Sequence, residues 1–273
     1  MAERWIAITD THGDQIDAEA WGFVRDFIAE FKPSRRLHLG DVFDFRWLRK
    51  GATDEERAED IAADIDSGLN LLDEYKPTEF LFGNHDNRLI RAAKDATGVV
   101  RASARDIHDQ VMRLCSLHDT KVYPYSVRKG VAEVGHIKAI HGYRHGLYAS
   151  RQHAQTWGNV IAGHVHRVDA ICSDRVTPDG TCAVGRSIGC LCRLDMEYAQ
   201  YRTATLTWAH GFVFGEIKNG RASICQATRD QVTGEWSLPI YSGLLNDSKH
   251  TSRKSSSPRK RKSGSRSSTA RKR

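Results

Sequence analysis

The chain has 273 residues, 40% hydrophobic and 27% charged, which describes a soluble globular protein with one large core or two small ones. No apolar run approaches the roughly 18 residues of a bilayer span, and the charged opening Met1–Trp5 lacks the apolar segment of a secretory signal, so a membrane or secreted protein is not expected. The net charge of +7 is unevenly placed: residues 246–273 hold eleven Lys or Arg against Asp247 alone, a local +10, which leaves −3 for residues 1–245.

Six cysteines, none before Cys115 and none spaced as CxxC, read as free thiols of a reducing, cytoplasmic compartment rather than a disulfide or structural zinc scaffold. Trp5–Ile8 forms a first short apolar run. The helical spacing of Trp21, Val24, Phe27, Ile28 and Phe31 follows, with Asp17 as N-cap and Pro33 as stop. Leu37–Leu39 predicts a second strand. Ala58, Ile61, Ile65, Leu69 and Leu72 predict a second amphipathic helix ending before Pro77, and Phe80–Phe82 a third strand. This alternation implies parallel pairing with right-handed crossovers, so ligands should bind beyond the carboxyl ends of the strands.

Residues 87–117 read as helical and able to cover that end, Val131–Ile140 as a strand pair turning near Gly135, 148–157 as a helix, and Val160–Ala162 as a strand. From about residue 167 onward the pattern is β-rich, with turns at Pro178-Asp179-Gly180, Asn219-Gly220 and Thr233-Gly234, and reads as a second sheet packed on the first. Residues 1–245 are expected to form one domain. The apolar-poor basic segment 246–273 is expected to be a disordered tail.

Each strand end delivers metal-ligand chemistry: Asp10 and His12 in TDTHG, Asp41 and Asp44 in LGDVFD, Asn84 and His85 in FGNHD, His141 in IHG, and His164 and His166 in AGHVHR. Any one of these is ordinary turn chemistry; five in order are not. In this order the motifs resemble the calcineurin-like metallophosphoesterase superfamily in its GNHD form, over residues 5–166; the overall layout, including the Gly189-Cys190-Leu191-Cys192 segment and the Trp208–Phe212 stretch, bears a looser likeness to phosphoesterases of viral and mobile bacterial genomes. The resemblance implies an α/β fold of two packed mixed β-sheets flanked by helices, the four-layer α/β/β/α arrangement, and a dinuclear centre. It implies that Asp10, His12 and His166 hold one metal, that Asn84, His141 and His164 hold the other, and that Asp41 bridges them. His85 would face the phosphoryl group, oriented by Asp44.

The chemistry asks for these residue types independently. Two divalent ions roughly 3.5–4 Å apart neutralise an anionic phosphoester, lower the pKa of a bridging water and align nucleophile with phosphorus. Carboxylate, imidazole and amide donors without thiolate suit Mn²⁺ first, then Fe, Zn²⁺ or Ni²⁺. A carboxylate such as Asp44 should raise the imidazole pKa of His85 and so ready it as a general acid. Arg46, Arg88 and Arg167 flank the motifs and are able to clamp phosphate oxygens, Arg88 being the substrate-binding candidate. His38, His108, His118, His136, His145, His153 and His210 match no motif position and read as packing or surface residues, and the Cys190/Cys192 pair as buried strand residues.

The motifs define a reaction centre and leave the substrate open. Phe45 after Asp44 and Asp86 in GNHD depart from the phosphoprotein-phosphatase pattern and favour the nuclease, cyclic-nucleotide and pyrophosphatase branches. A phosphodiesterase or nuclease, helped by nonspecific contact of the basic tail with nucleic acid, is the first expectation. A small-molecule phosphomonoesterase or pyrophosphatase is the second, its tail serving localisation (PRKRK would suit nuclear import in a eukaryote) or solubility. A non-catalytic binding protein on the same fold is the third, disfavoured because every motif residue is present.

Overall fold

The computed structural model describes residues 2–54, 61–196 and 203–239. The boundary expected at residue 245 and the basic segment beyond it lie outside the described residues. Among these, no helix is long and apolar enough to cross a membrane.

The three parallel strands expected, β1 (Glu3–Ile8), β2 (Arg35–His38) and β3 (Glu79–Leu81), pair in chain order in the first sheet, and a fourth that was not expected, β4 (Lys121–Tyr123), adds parallel to β3. Helix α1 (Ala18–Phe31) crosses from β1 to β2; Asp17 caps it by accepting from the Ala20 amide at 2.8 Å, and Lys32 ends it in a left-handed conformation before Pro33. Helix α2 (Ile61–Tyr75) crosses from β2 to β3. Its expected first residues, from Ala58, lie outside the described residues. Its most buried face runs through Asp64, Gly68, Leu71, Leu72 and Tyr75 rather than the Ile61–Ile65–Leu69 stripe. The reason is local: a Cβ on Gly68 would lie 2.3 Å from the Phe43 ring, so the glycine admits the loop after β2, and Asp64 caps that loop.

The helical stretch expected over 87–117 is two helices, α3 (Asp86–Asp95) and α4 (Gly98–Leu117). The second sheet runs β5-β6-β7-β9-β8, from β5 (Ala132–Val134), β6 (Ile137–Ile140), β7 (Val160–Ala162), β8 (Val168–Val176) and β9 (Cys182–Ile188), with α5 (Ala149–Trp157) packed on its outer face. It therefore begins at residue 132, not near 167.

The later strands correct the expectation further. β10 (Gly211–Lys218), β11 (Arg221–Ala222), β12 (Cys225–Arg229) and β13 (Trp236–Ser237) return to the first sheet, where β10 pairs antiparallel with β1, Trp5 opposite Gly215. The physical cause is burial. β10 is covered on both faces over Gly211–Gly215, and only a place between β1 and β12 supplies α1 on one side and the second sheet on the other. On the helix side Phe27 meets Phe212 and Phe214 at ring distances of 5.1 and 4.7 Å. Between the sheets, Trp5, Ala7, Leu37, Leu39, Leu81 and Val213 pack on Val134, Ile137, Ala139, Ile161 and Ile188. The layers are thus α/β/β/α, and the carboxyl ends of the parallel strands in both sheets open onto one shared edge.

Candidate metal centre

The loops at that edge are laced by their own backbones. Asp10 N donates to Gly40 O (3.0 Å), Thr11 N and His12 N both donate to Asp41 O (3.0 Å), and Gly163 N donates to His141 O (2.8 Å). Underneath, fully buried His38 ties two loops: Gly40 N donates to its Nδ1, and its Nε2 lies 3.2 Å from Thr11 Oγ1, which donates on to Val42 O. Burial pushes the His38 imidazole down to about 3, so it stays neutral as this chain of bonds requires.

Ten described non-glycine residues have positive φ, and five of them are expected metal ligands: Asp10, His12, Asp41, His164 and His166, at 53–73°. Each such conformation costs about 1–3 kcal/mol and persists only where the surroundings enforce it. It turns the side chain inward from a tight loop. Glycine supplies the remaining room: a Cβ on Gly83 would lie 2.0 Å from Asp41 Oδ1, and one on Gly163 2.4 Å from Asp10 Oδ2.

The seven expected ligands gather into two adjoining clusters. In the first, His166 Nε2 lies 3.1 Å from His12 Nε2 and 3.2 Å from Asp10 Oδ1. In the second, His141 Nε2 lies 3.0 Å from Asn84 Oδ1 and 3.2 Å from Asp41 Oδ2, with His164 beside them. Asp41 Oδ2 also lies 3.9 Å from His12 Nε2 and so faces both clusters. The second oxygen of Asp10 accepts from Thr9 Oγ1 (2.7 Å) and from the His164 amide (2.8 Å), which joins the clusters through one carboxylate.

His85 and Asp44 meet as expected, with His85 Nδ1 2.6 Å from Asp44 Oδ1; the same oxygen lies 3.2 Å from His12 Nδ1. Arg88 reaches this pair, donating through Nη1 to Asp44 O (2.9 Å) and through Nη2 to His85 Nε2 (3.1 Å). The other two arginines are committed elsewhere. Arg46 makes a two-pronged contact with Asp14, both distances 2.7 Å, at the cleft wall, and Arg167 holds Asp169 and the carbonyls of Gly146 and Leu147. Arg167 is thus an anchor of the loop after His141.

Electrostatics follow from this packing. Burial alone would lower His141, but the Asp41 carboxylate outweighs it and lifts the imidazole to about 9. Burial likewise opposes, without overcoming, the imidazoles that hold Asp10, Asp41 and Asp44 below the usual carboxylate range. Burial takes His164 down to about 3. It also lowers His85, against the pull of Asp41 and Asp44, which corrects the expectation that Asp44 leaves this imidazole raised.

The donor set fits divalent ions. Asp10 Oδ1 is fully buried with no hydrogen-bond partner, facing two imidazole nitrogens that themselves lie 3.1 Å apart; a cation between them satisfies all three.

Sequence reasoning passed over several residues at this edge. Asp86 accepts from the amides of Asp41 (2.8 Å), Phe43 (3.1 Å) and Gly83 (2.8 Å), and Asp64 from those of Asp44 (2.9 Å) and Phe45 (2.7 Å), so two buried carboxylates shape the loop carrying Asp41 and Asp44. His145 Nδ1 lies 3.0 Å from His164 Nε2, and Trp208 packs on the His166 ring at 4.4 Å; both line the cleft of about 250 Å³ over the centre. The fourth residue of GNHD pointed to Asp86. The Trp208–Phe212 stretch drew notice only through the loose likeness noted above, and nothing local pointed to Asp64 or His145 as parts of this edge.

No protein-family model matches the chain, and no curated protein matches it. Among solved structures it is similar to Vps29 of Chaetomium thermophilum (10% identity over 88% of this chain and 94% of that one, TM-score 0.46). It is similar also to Vps29 of Cryptosporidium parvum (13%, 87% and 96%, TM-score 0.44) and to an archaeal phosphodiesterase (11%, 82% and 99%, TM-score 0.40).

Proposed function

We propose that the chain is a metallophosphoesterase that hydrolyses phosphodiester bonds, in nucleic acid or nucleotides, at a dinuclear centre. The observation that carries this reading is the placement of Asp41: one buried carboxylate oxygen facing the Asp10/His12/His166 cluster and the Asn84/His141/His164 cluster at once. When bound, two divalent ions there, Mn²⁺ first among them, neutralise the phosphoester and supply a water of lowered pKa.

The chain's own residues do the rest. Asp10, His12 and His166 would hold one ion, Asn84, His141 and His164 the other, and Asp41 would serve both. Asp44 fixes the ring of His85 through Nδ1, so Nε2 points to the substrate side, where it meets Arg88. An incoming phosphoryl oxygen competes with Nε2 for that guanidinium. His85, once released and protonated, gives its Nε2 proton to the departing oxygen. Support for a diester over a monoester comes from the GNHD form and the basic segment 246–273, which raises local nucleic-acid concentration.

The test is a Mn²⁺-supplemented panel of an aryl phosphomonoester, an aryl phosphodiester, a nucleoside diphosphate, and single- and double-stranded DNA. Cleavage of the diesters is expected, with metal and activity both lost in Asp41→Asn. Hydrolysis of the monoester or pyrophosphate alone replaces the reading with a small-molecule phosphatase. Activity undiminished after exhaustive chelation removes the metal centre altogether.

A further inference from the structure

Each of the four imidazoles in the two clusters has a different second partner. His12 has the Asp44 carboxylate at 3.2 Å, His141 the Leu39 carbonyl at 3.0 Å, His164 the His145 ring at 3.0 Å, and His166 the thiol of Cys192, its Sγ 3.7 Å from Nδ1. Carboxylates and carbonyls are the ordinary second partners of a metal-binding imidazole. A buried thiol is not.

We infer that Cys192 is a positioning residue for the first cluster, its sulfur accepting the Nδ1 proton of His166 so that the Nε2 lone pair is presented beside His12 and Asp10. This rests on the metal-centre reading above. Geometry supports the direction of the contact. Nε2 of His166 is the atom turned toward Asp10 Oδ1 and His12 Nε2, whereas Sγ is paired with Nδ1; the sulfur also lies within 4.8 Å of a His12 ring nitrogen, so direct ligation by the thiol is the alternative that the cobalt spectrum below tests. A neutral imidazole that ligates through Nε2 carries its proton on Nδ1, and sulfur is the acceptor within reach there.

The backbone that carries the thiol is also held in place on both sides of Cys192. Leu191 N donates to Asp10 O (3.2 Å), Asp17 N to Leu191 O (2.8 Å) and Arg193 N to Gln15 O (2.8 Å), while His210 Nε2 lies 3.0 Å from Cys192 O. Cys192 is fully buried, with Cys190, Met196 and Trp208 around it, and Trp208 also packs on the His166 ring at 4.4 Å. The segment that carries the thiol is therefore fastened to the same loop that carries Asp10 and His12. A neutral sulfur fixes the tautomer without adding the basicity that a carboxylate lends, so the two halves of the centre should differ in affinity.

The experiment titrates Zn²⁺ into the chelator-stripped full chain against a chromophoric competitor, for wild type, C192A and C192S. We expect C192A to weaken one of two sites by about 10–100-fold and leave the other unchanged, which also shows that the variant is folded. C192S, which keeps an acceptor, should recover most of the loss. Co²⁺ substitution supplies a second signature: the wild-type spectrum should lack a thiolate-to-cobalt charge-transfer band. Unchanged affinities in C192A, an equal loss at both sites in C192S, or a charge-transfer band that C192S abolishes would each overturn the inference. Wild type that takes up no divalent ion overturns the metal-centre reading together with this one, whereas normal wild-type uptake with an unaffected C192A overturns this one alone.

Discussion

At the scale of single residues, the site is made by conformations that side chains ordinarily avoid. Asp10, His12, Asp41, His164 and His166 all sit in left-handed backbone, held there by the amide bonds between neighbouring loops. Gly83 illustrates the tightness: we expect Gly83→Ala to drive the new Cβ into Asp41 and to abolish metal uptake, measured by elemental analysis, with a loss of stability of about 1–3 kcal/mol for overpacking. For His85, replacement by Asn should leave metal content intact while lowering kcat by about 10²–10⁴, the range of a lost general acid. The defect should shrink for nitrophenyl esters, whose leaving group departs without a proton. An equal defect for good and poor leaving groups would assign His85 to phosphate binding instead.

Among the elements, the first residue of α3 does more than start a helix. Asp86 gathers three amides from two loops, and each buried N–H left without a partner costs about 1–3 kcal/mol. We expect Asp86→Ala to destabilise the body by more than ~3 kcal/mol and to disturb Asp41 through its backbone, so that added metal no longer raises the melting temperature. Burial and the neighbouring Asp41 charge push Asp86 up to about 7, as burial does Asp64. Asp64 plays the same part from α2, where its place on the buried face shifts the helix off its apolar stripe.

Over the whole molecule, charge sets two expectations. In the metal-free chain His141, lifted to about 9 from its ordinary 6.5, contributes stability that is complete below pH 6.5 and lost as pH rises through 9. His38 and His164, lowered to about 3, and His153, lowered to about 4, act oppositely: their contribution is complete above 6.5 and lost as pH falls toward 3–4. Asp64 and Asp86, raised to about 7 from 3.8, lose stability as pH rises over that range and so offset part of the acid-side effect, but the lowered imidazoles outnumber them. The metal-free melting temperature should therefore rise from pH 4 toward 6.5 and fall toward 9, and a monotonic profile would contradict this balance. Metal uptake at pH 7 should release protons, because His141 ligates only when neutral; calorimetry in buffers of different ionisation enthalpy reads this directly. The second expectation concerns residues 246–273. Truncation after Leu245 removes +10 and should weaken nucleic-acid binding and flatten its salt dependence by about 0.9 per lost phosphate contact, while turnover of a small aryl phosphodiester stays the same. Equal nucleic-acid cleavage by both forms at physiological salt would deny that segment a role in substrate capture.

Much of the site was legible because ligand chemistry and the turns that deliver it are local. Asp10, His12, Asp41, Asn84, His141, His164 and His166 each follow an apolar run, and parallel strands in chain order bring their carboxyl ends to one edge. Helix α1 was readable for the same reason, since its cap, its stripe and its stop all lie within one stretch of chain. Strand pairing is different. The sequence marks the region from about residue 167 only as β-rich, and burial on both faces, settled by α1 and the second sheet together, places Gly211–Lys218 beside β1. The partners of the ligands were hidden likewise: Asp64, His145 and Cys192 lie 20 residues from Asp44, 19 from His164 and 26 from His166. Contacts at such separation are chosen by how the layers close on one another, which no short window of sequence records, and so the donor groups of the candidate centre were written in the motifs while their support was decided by the packing of the two sheets.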